Sequence, residues 1–179
     1  MSTRRFRLMV FTLGFVVLFT GWTLAQSKKP ACGPDHAIIY KRAVKLLDSA
    51  QKKLTAKYTA EAKALVKEAN SLFTILVKEC GPLQRERALT EKELAQEAAN
   101  KKKCEAALKR VELLQKSAND KLKKGQEVEN KGQSEQAKQL FRQAKSESEK
   151  AHTLAIQAEI HALRNQQMIF RFLASLPSR

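Results

Sequence analysis

The chain has 179 residues, of which 34 are Lys or Arg and 18 are Asp or Glu, so its formal net charge at pH 7 is +16. Only 6% of the residues are aromatic, which is little for a globular core packed around bulky rings. Ala, Leu, Lys, Glu and Gln are frequent instead, a composition typical of long helices packed side by side. The composition therefore predicts an all-α protein. The excess of basic residues has two interpretations: a preference for polyanionic partners, or lysine-rich faces that only solvate the helices.

The N-terminal segment has the parts of a secretory signal peptide. Arg4, Arg5 and Arg7 supply positive charge, an apolar run follows over 8–25, and Ala25 closes a small-residue cleavage site. We predict that residues 1–25 are removed and that the protein is exported to the periplasm or the cell exterior. The alternative is an uncleaved membrane anchor, because 8–25 is only slightly shorter than the ~20 residues that span a bilayer. Cleavage leaves 31 basic and 18 acidic residues, a net charge of +13.

A polar leader over 26–35 precedes a first antiparallel helical hairpin, predicted over 36–80. Its apolar residues recur at steps of three and four, as on one face of a helix. Asp35 is the predicted N-cap of the first helix and Thr59 that of the second. The sequence Cys80-Gly81-Pro82 is predicted to end the second helix, because Gly suits the position after a helix and Pro cannot continue it.

A second, longer hairpin is predicted over 83–176. Its first helix starts near Leu83, its turn lies at 131–133, and Ser134 caps the last helix. In that last helix two series of positions repeat every seven residues, as in the seam of a coiled coil. The first series is Ala137, Ala144, Ala151, Ala158, Asn165 and Phe172, and the second is Phe141, Ser148, Ala155, Ala162, Ile169 and Leu176. The small Ala side chains favour close approach of the preceding helix.

Residues 118–151 resemble a tetratricopeptide (TPR) repeat. A small residue for close helix contact, a Gly at the turn and a small–large–small row in the second helix all match the family. These positions are Gly125, Gly132, Ala137, Phe141 and Ala144. Lys121 and Val128 depart from the pattern, because the family usually has aromatic residues there. The resemblance implies a protein-binding solenoid fragment, but stable solenoids usually need at least ~3 repeats. We therefore favour a coiled-coil-like bundle of hairpins with the same packing.

The three cysteines predict one disulfide. Cys32 and Cys80 each lie 24 residues from the predicted turn at Ala56, so an antiparallel hairpin brings them to the same end. In an oxidising compartment we expect a disulfide between them. Cys104 lies 21 residues into the next helix, roughly 30 Å from Cys80 at about 1.5 Å per residue. It is interpreted as a free core thiol or, alternatively, as an intermolecular bridge.

No motif in the sequence points to catalysis, a cofactor or a metal. The sequence contains no Gly-rich phosphate loop, no Gly-x-Ser-x-Gly and no His-Glu-x-x-His. His36, His152 and His161 are scattered, and no Cys-x-x-Cys pair occurs. We therefore predict a non-enzymatic protein without cofactor or metal.

Two segments are candidates for binding a partner. One is the densest basic run, and the other is an apolar cluster near the C-terminus. The candidate residues are Lys101, Lys102, Lys103, Ile169, Phe170, Phe172 and Leu173. Three interpretations of the C-terminal cluster stay open: a bulky core packed on the first hairpin, an exposed docking patch, or a basic amphipathic end on a membrane surface.

The preferred function is a non-catalytic adaptor or scaffold of the cell envelope that binds an acidic protein through its basic faces. One alternative is a periplasmic holdase chaperone, which would capture unfolded proteins. Another is a self-assembling structural subunit, a homo-oligomer joined through the coiled-coil seam and Cys104. Nucleic acid is not expected, because no aromatic side chains interleave with the basic residues as stacking platforms.

Overall fold

The computed structural model describes residues 32–84 and 89–176. Within these ranges the helices are α1 (Pro34–Thr55), α2 (Thr59–Gln84), α3 (Glu91–Asn130), α4 (Ser134–Ile169) and a short 3₁₀ helix (Arg171–Ser175). The described residues contain no strand, so the all-α prediction is confirmed for them. The predicted signal peptide over 1–25 and most of the leader lie outside the described residues.

The start of α1 lies slightly earlier than the sequence predicts. Gly33 is the N-cap, and Pro34 takes the first helical position, where its missing N–H costs no hydrogen bond. The Gly33 N–H donates to Nδ1 of His36 at 3.2 Å, which satisfies a donor at the helix end. Asp35, the predicted N-cap, lies instead in the first turn, where the helix dipole favours its negative charge.

The turn between α1 and α2 is a Schellman motif built on a lysine. Lys57 has a φ of 66°, in the left-handed region that non-Gly residues rarely adopt. Its N–H donates to the Leu54 carbonyl, and the Tyr58 N–H donates to the Lys53 carbonyl. α2 begins at Thr59, so Thr59 is a helical residue and not the predicted cap.

The boundary between α2 and α3 differs most from prediction. α2 continues through Gly81 and Pro82 to Gln84, and α3 begins at Glu91 instead of near Leu83. A proline this close to the end of a helix removes only one backbone hydrogen bond before the helix stops. α3 starts at a capping box, in which the Glu93 N–H donates to Thr90 Oγ1 and the Thr90 N–H donates to Glu93 Oε2.

The main core lies between α1, α2, the C-terminal half of α4 and the 3₁₀ helix. Its largest fully buried side chains are Leu47, Val66, Phe73, Leu76, Ile156, Ile160, Phe170 and Leu173. The Tyr40 hydroxyl donates to the Gln167 carbonyl at 3.1 Å, which ties α1 to α4. The predicted disulfide is confirmed: Cys32 and Cys80 are bonded, with 5.4 Å between their Cα atoms. It closes the end of the α1–α2 pair that lies opposite the turn.

Among the described helices α3 packs along α4, and its Glu93 also pairs with Arg171 of the 3₁₀ helix at 2.7 Å. α3 and α4 run antiparallel, as the Asn100–Asn165 hydrogen bond (2.9 Å) and the Lys121–Glu147 ion pair (2.7 Å) fix their register. Gly132, with a φ of +80°, makes the turn between them. Leu114 of α3 lies beside the α1–α2 turn. The 16 residues of α3 that follow it extend roughly 24 Å beyond that turn at about 1.5 Å per residue, and α4 packs along them.

The seam between α3 and α4 agrees with the first predicted series and with part of the second. Ala137, Ala144, Ala151 and Ala158 of the first series are buried. In the second series Ser148 and Ala162 are exposed, whereas Phe141, Ala155, Ile169 and Leu176 are half-buried, and the Phe141 ring lies against Gly125. The second seam row of α4 lies one residue earlier along the helix. Its members are Leu140, Glu147, Leu154, His161 and Met168, all half-buried. α4 also packs on α1 and α2, and its Ile156, Ile160 and Leu163 belong to the main core.

Candidate functional site

A row of lysines follows the outer face of α3. The inner face is defined by residues that repeat every seven positions against α4: Cys104, Val111, Ala118 and Gly125. In this heptad frame the position farthest from the seam is occupied four times in succession by lysine, at Lys102, Lys109, Lys116 and Lys123. We call these four residues the lysine row. All four side chains are exposed.

The lysine row is straight and evenly spaced. Seven residues of α-helix advance about 10.5 Å, so the row spans roughly 32 Å from first to last member. A second line of cations lies on the flank of the same helix, at Lys103, Arg110, Lys124 and Lys131, all exposed. No acidic residue occupies either heptad position between 95 and 131. These two lines of α3 are therefore positive along their length, and the exposed carboxylates Glu105, Glu112, Asp120 and Glu127 lie on the neighbouring lines.

The lysine row makes no ion pairs within the part of the chain that the structure describes. None of its four ammonium groups has a carboxylate oxygen within 4.0 Å. Other cations do: Lys121 pairs with Glu147 at 2.7 Å across the seam, and Arg164 pairs with Asp48 at 2.8 Å. The hydrogen bond from Lys121 holds the pKa of Glu147 below its usual value. Thus Lys121, which joins α3 to α4, faces the seam. The lysine row faces solvent and makes no ion pair with the described residues.

Exposed leucines lie beside the basic residues of α3. Leu94, Leu108 and Leu122 are 51%, 51% and 42% exposed, and they recur every 14 residues along one line of the helix. Leu113, 61% exposed, lies on another side. Single exposed leucines are common on protein surfaces. The leucines of α3 therefore indicate at most short apolar contacts between charged contacts.

The structure separates the predicted partner-binding residues into two groups. Lys101, Lys102 and Lys103 are exposed at the start of the basic surface, and Lys102 is the first member of the lysine row. The C-terminal cluster is different, since it belongs to the main core. Ile169 and Phe172 are half-buried against that core, and Phe170 and Leu173 are 1% and 0% exposed. Phe170 and Leu173 are therefore part of the main core, which contradicts the docking-patch interpretation for these two residues.

Cys104 is a free, half-buried thiol on the seam. The Asn100–Asn165 hydrogen bond sets the local register of α3 against α4. In that register Cys104, one helical turn after Asn100, lies opposite His161. Burial, together with Lys103 and Arg164, lowers the pKa of His161. An intermolecular disulfide through Cys104 would have to form beside α4, so the seam hinders it.

Of the open grooves that border the α3–α4 pair, two also reach α1. One, of about 950 Å³, lies beside the α1–α2 turn and is lined by residues that include Leu54, Lys57, Arg110, His152 and Leu154. The other, of about 570 Å³, lies where α3 begins and contains the Arg171–Glu93 ion pair, with 2.7 Å between the paired atoms. The first groove adds basic side chains next to the middle of α3 and continues the positive surface.

Comparison with known proteins identifies no relative. No protein-family model, no curated protein and no solved structure matches this chain. None of the helices in the described ranges is long and apolar enough to cross a membrane. The functional inference therefore rests on the surface of α3 itself.

The sequence contains a signal for the lysine row, but a count of neighbouring basic residues does not reveal it. A search for runs of basic residues finds 101–103 and passes over Lys109, Lys116 and Lys123, each of which has a neutral or acidic residue close by. The seven-residue spacing becomes informative only once the seam of α3 is known. That seam is hard to find in the sequence because its residues include Cys, Gly and Lys beside the apolar ones.

Proposed function

We propose that this chain is an exported, non-catalytic helical interaction protein that binds an acidic partner along the lysine row of α3. The observation that carries the proposal is the set of four exposed lysines at seven-residue spacing, none paired with a carboxylate of the described residues. Unpaired cations keep their full attraction for an external polyanion. The proposed cellular location is the periplasm or the cell exterior, after removal of 1–25.

The spacing of the lysine row suits an elongated acidic partner. Neighbouring members lie about 10.5 Å apart, close to the ~10 Å Debye length at 0.1 M salt, so each attracts largely on its own in physiological buffer. A partner that presents carboxylates along a helix or an extended segment would meet the lysines in succession. An acidic protein segment of this kind is the proposed ligand.

The proposed architecture supports this role. Two antiparallel helical hairpins, with TPR-like packing around 118–151, hold the lysine row on a straight element. The confirmed Cys32–Cys80 disulfide fits an oxidising compartment such as the periplasm. The core beneath α4 fixes one end of α3 and leaves its outer face to solvent.

The first test is a binding titration with matched variants. A fluorescently labelled oligo-glutamate peptide is titrated with the protein, and anisotropy is recorded at several salt concentrations. One variant replaces Lys102, Lys109, Lys116 and Lys123 by Gln. The control replaces four exposed lysines of the α1–α2 pair by Gln and so changes the net charge equally. The control positions are Lys41, Lys45, Lys63 and Lys67.

The expected loss follows from the strength of exposed ion pairs. At about 0.2–1 kcal/mol for each contact, four lost contacts remove about 0.8–4 kcal/mol and weaken binding roughly 4-fold to several hundred-fold. The control is expected to weaken binding by less than about 3-fold, since distant exposed charges are screened. Equal losses in the two variants would show that net charge alone drives binding and would refute the lysine row as the site. The natural partner is then sought in an envelope extract and retested with both variants.

The exposed leucines of α3 favour a second candidate function, a holdase-type chaperone. Leu94, Leu108 and Leu122 offer repeated apolar contacts among cations, which suits segments of unfolded proteins. This function predicts that the protein suppresses aggregation of a heat-denatured reporter enzyme. Replacement of the three leucines by Gln would abolish that suppression and leave oligo-glutamate binding intact.

A further inference from the structure

Three potential metal ligands meet where the α1–α2 pair is closed by its disulfide. The sulfur atoms of Cys32 and Cys80 and a ring nitrogen of His36 all lie within 4.8 Å of one another. Cys80 is fully buried, and His36 is 9% exposed. We propose that, once the Cys32–Cys80 disulfide is reduced, these three side chains bind one Zn²⁺ ion. The proposal is independent of the lysine row.

The donor set suits zinc. Thiolate sulfur and imidazole nitrogen are the ligands that Zn²⁺ prefers, at about 2.3 Å and 2.0–2.1 Å. Tetrahedral geometry at those bond lengths places neighbouring ligand atoms roughly 3.5–3.8 Å apart. The ligand atoms are already within 4.8 Å, so only a small contraction is needed, while the two sulfurs move apart from bonding distance. Water fills the fourth position.

His36 is already oriented as zinc-binding histidines are. Its Nε2 lies 2.8 Å from Glu79 Oε2, so a proton on Nε2 is held by the carboxylate. In the disulfide-bonded structure the lone pair of Nδ1 accepts the Gly33 N–H at 3.2 Å, so zinc would displace that hydrogen bond on binding Nδ1. Gly33 follows Cys32 directly, so Nδ1 points to the cysteine end of the helix. Glu79 is accordingly a positioning residue.

The change between the two states balances in electrons and protons. A dithiol reductant gives two electrons and two protons to the Cys32–Cys80 bond and becomes a disulfide itself. Zn²⁺ then displaces the two thiol protons and forms two zinc–sulfur bonds and one zinc–nitrogen bond. The disulfide and the zinc ion therefore exclude each other, and the same end of the α1–α2 pair is closed covalently in one state and by metal in the other.

The test uses Co²⁺ as a spectroscopic probe in place of Zn²⁺. The purified Cys104→Ser protein is reduced, freed of reductant under nitrogen and titrated with Co²⁺. We expect a thiolate-to-cobalt charge-transfer band and intense visible bands of tetrahedral Co²⁺ that saturate at one ion per chain. Added Zn²⁺ should remove them. The oxidised protein should show neither band, and Glu79→Gln should weaken binding roughly 10-fold through loss of the positioned imidazole.

Two further measurements test zinc binding even if reduction of the disulfide loosens the fold. Zn²⁺ should raise the melting temperature of the reduced protein, because a ligand that binds the folded state stabilises it. Zn²⁺ should also protect Cys32 and Cys80 from alkylation, and His36→Ala should remove that protection. The absence of cobalt bands in reduced protein that far-UV circular dichroism shows to be helical would overturn the proposal. So would unchanged cobalt affinity in His36→Ala.

Discussion

The close contact between Gly125 and Phe141 gives a prediction whose sign depends on two opposing effects. A Cβ atom added to Gly125 would lie 2.5 Å from Cε1 and 2.9 Å from Cδ1 of the Phe141 ring. Carbon atoms pack at about 3.5–4.0 Å, so the ring would have to move about 1 Å. Overpacking of this kind usually costs about 1–3 kcal/mol. Against this, Gly→Ala inside a helix gains about 1 kcal/mol.

The two effects predict that Gly125→Ala lowers the free energy of unfolding by roughly 1 kcal/mol, the middle of that difference. Removal of the ring should reverse the sign. In a Phe141→Ala background, Gly125→Ala is expected to stabilise by up to about 1 kcal/mol, because only the helical preference remains. The coupling energy between the two positions is then about 2 kcal/mol, well above the value for independent sites.

Urea unfolding followed by far-UV circular dichroism measures all four proteins of this double-mutant cycle. Gly81→Ala is the matched control, since Gly81 is also helical and its added Cβ would meet nothing within 4 Å. It should be neutral or stabilising. The reasoning is refuted if Gly125→Ala stabilises as Gly81→Ala does, or if the effect of Gly125→Ala is the same with and without the Phe141 ring.

Three further predictions concern other parts of the fold. Replacing Cys32 and Cys80 by Ser should lower the free energy of unfolding, measured by urea denaturation, by up to about 4 kcal/mol, because the disulfide joins residues 48 apart. Lys57→Gly should raise the free energy of unfolding by roughly 1 kcal/mol, because Gly adopts a left-handed φ without strain. Burial lowers the pKa of His161, so the unfolded chain binds its proton more readily. Stability should therefore fall as pH decreases below about 6.5, the usual histidine value, and less so in His161→Gln.

Each of these three has a control and a contradicting result. Cys104→Ser should leave the urea midpoint nearly unchanged, and an equal loss there would mean that the disulfide is not the cause. Lys45→Gly, at an exposed position in the middle of α1, should destabilise, and a gain at both positions would contradict the strain at Lys57. For pH, exposed His152→Gln is the comparison, and a pH profile identical to that of His161→Gln would contradict the role of burial.

The sequence alone predicts the helices and the disulfide because both depend on local or countable features. Apolar residues at steps of three and four mark the helical faces. Equal distances of 24 residues from the turn to Cys32 and to Cys80 bring these two residues together in any antiparallel pair. Such arguments need no knowledge of side-chain packing.

Helix boundaries and the fate of the C-terminal cluster depend on tertiary packing and are harder to read. Gly81 and Pro82 look like a stop signal, yet a helix end tolerates Pro at the cost of one hydrogen bond. The capping box at Thr90 and Glu93 is a readable signal for the start of α3. Phe170 and Leu173 have the same sequence pattern in a core as in a docking patch, and only the position of α1 and α2 decides between them.

The lysine row is not explained by the requirements of the fold. Some cations elsewhere in the described residues join helices, as in Arg42–Glu68, Arg164–Asp48 and Lys121–Glu147. Glu105 and Glu112 precede Lys109 and Lys116 by four residues, the spacing at which helical ion pairs form. Within the described residues, however, neither lysine has a carboxylate within 4.0 Å. In a chain of net charge +16, these four lysines add to the repulsion within the folded state. Residues that lower the stability of the fold and make no stabilising contact are expected at functional sites. An acidic partner is the ligand that would pair with these lysines.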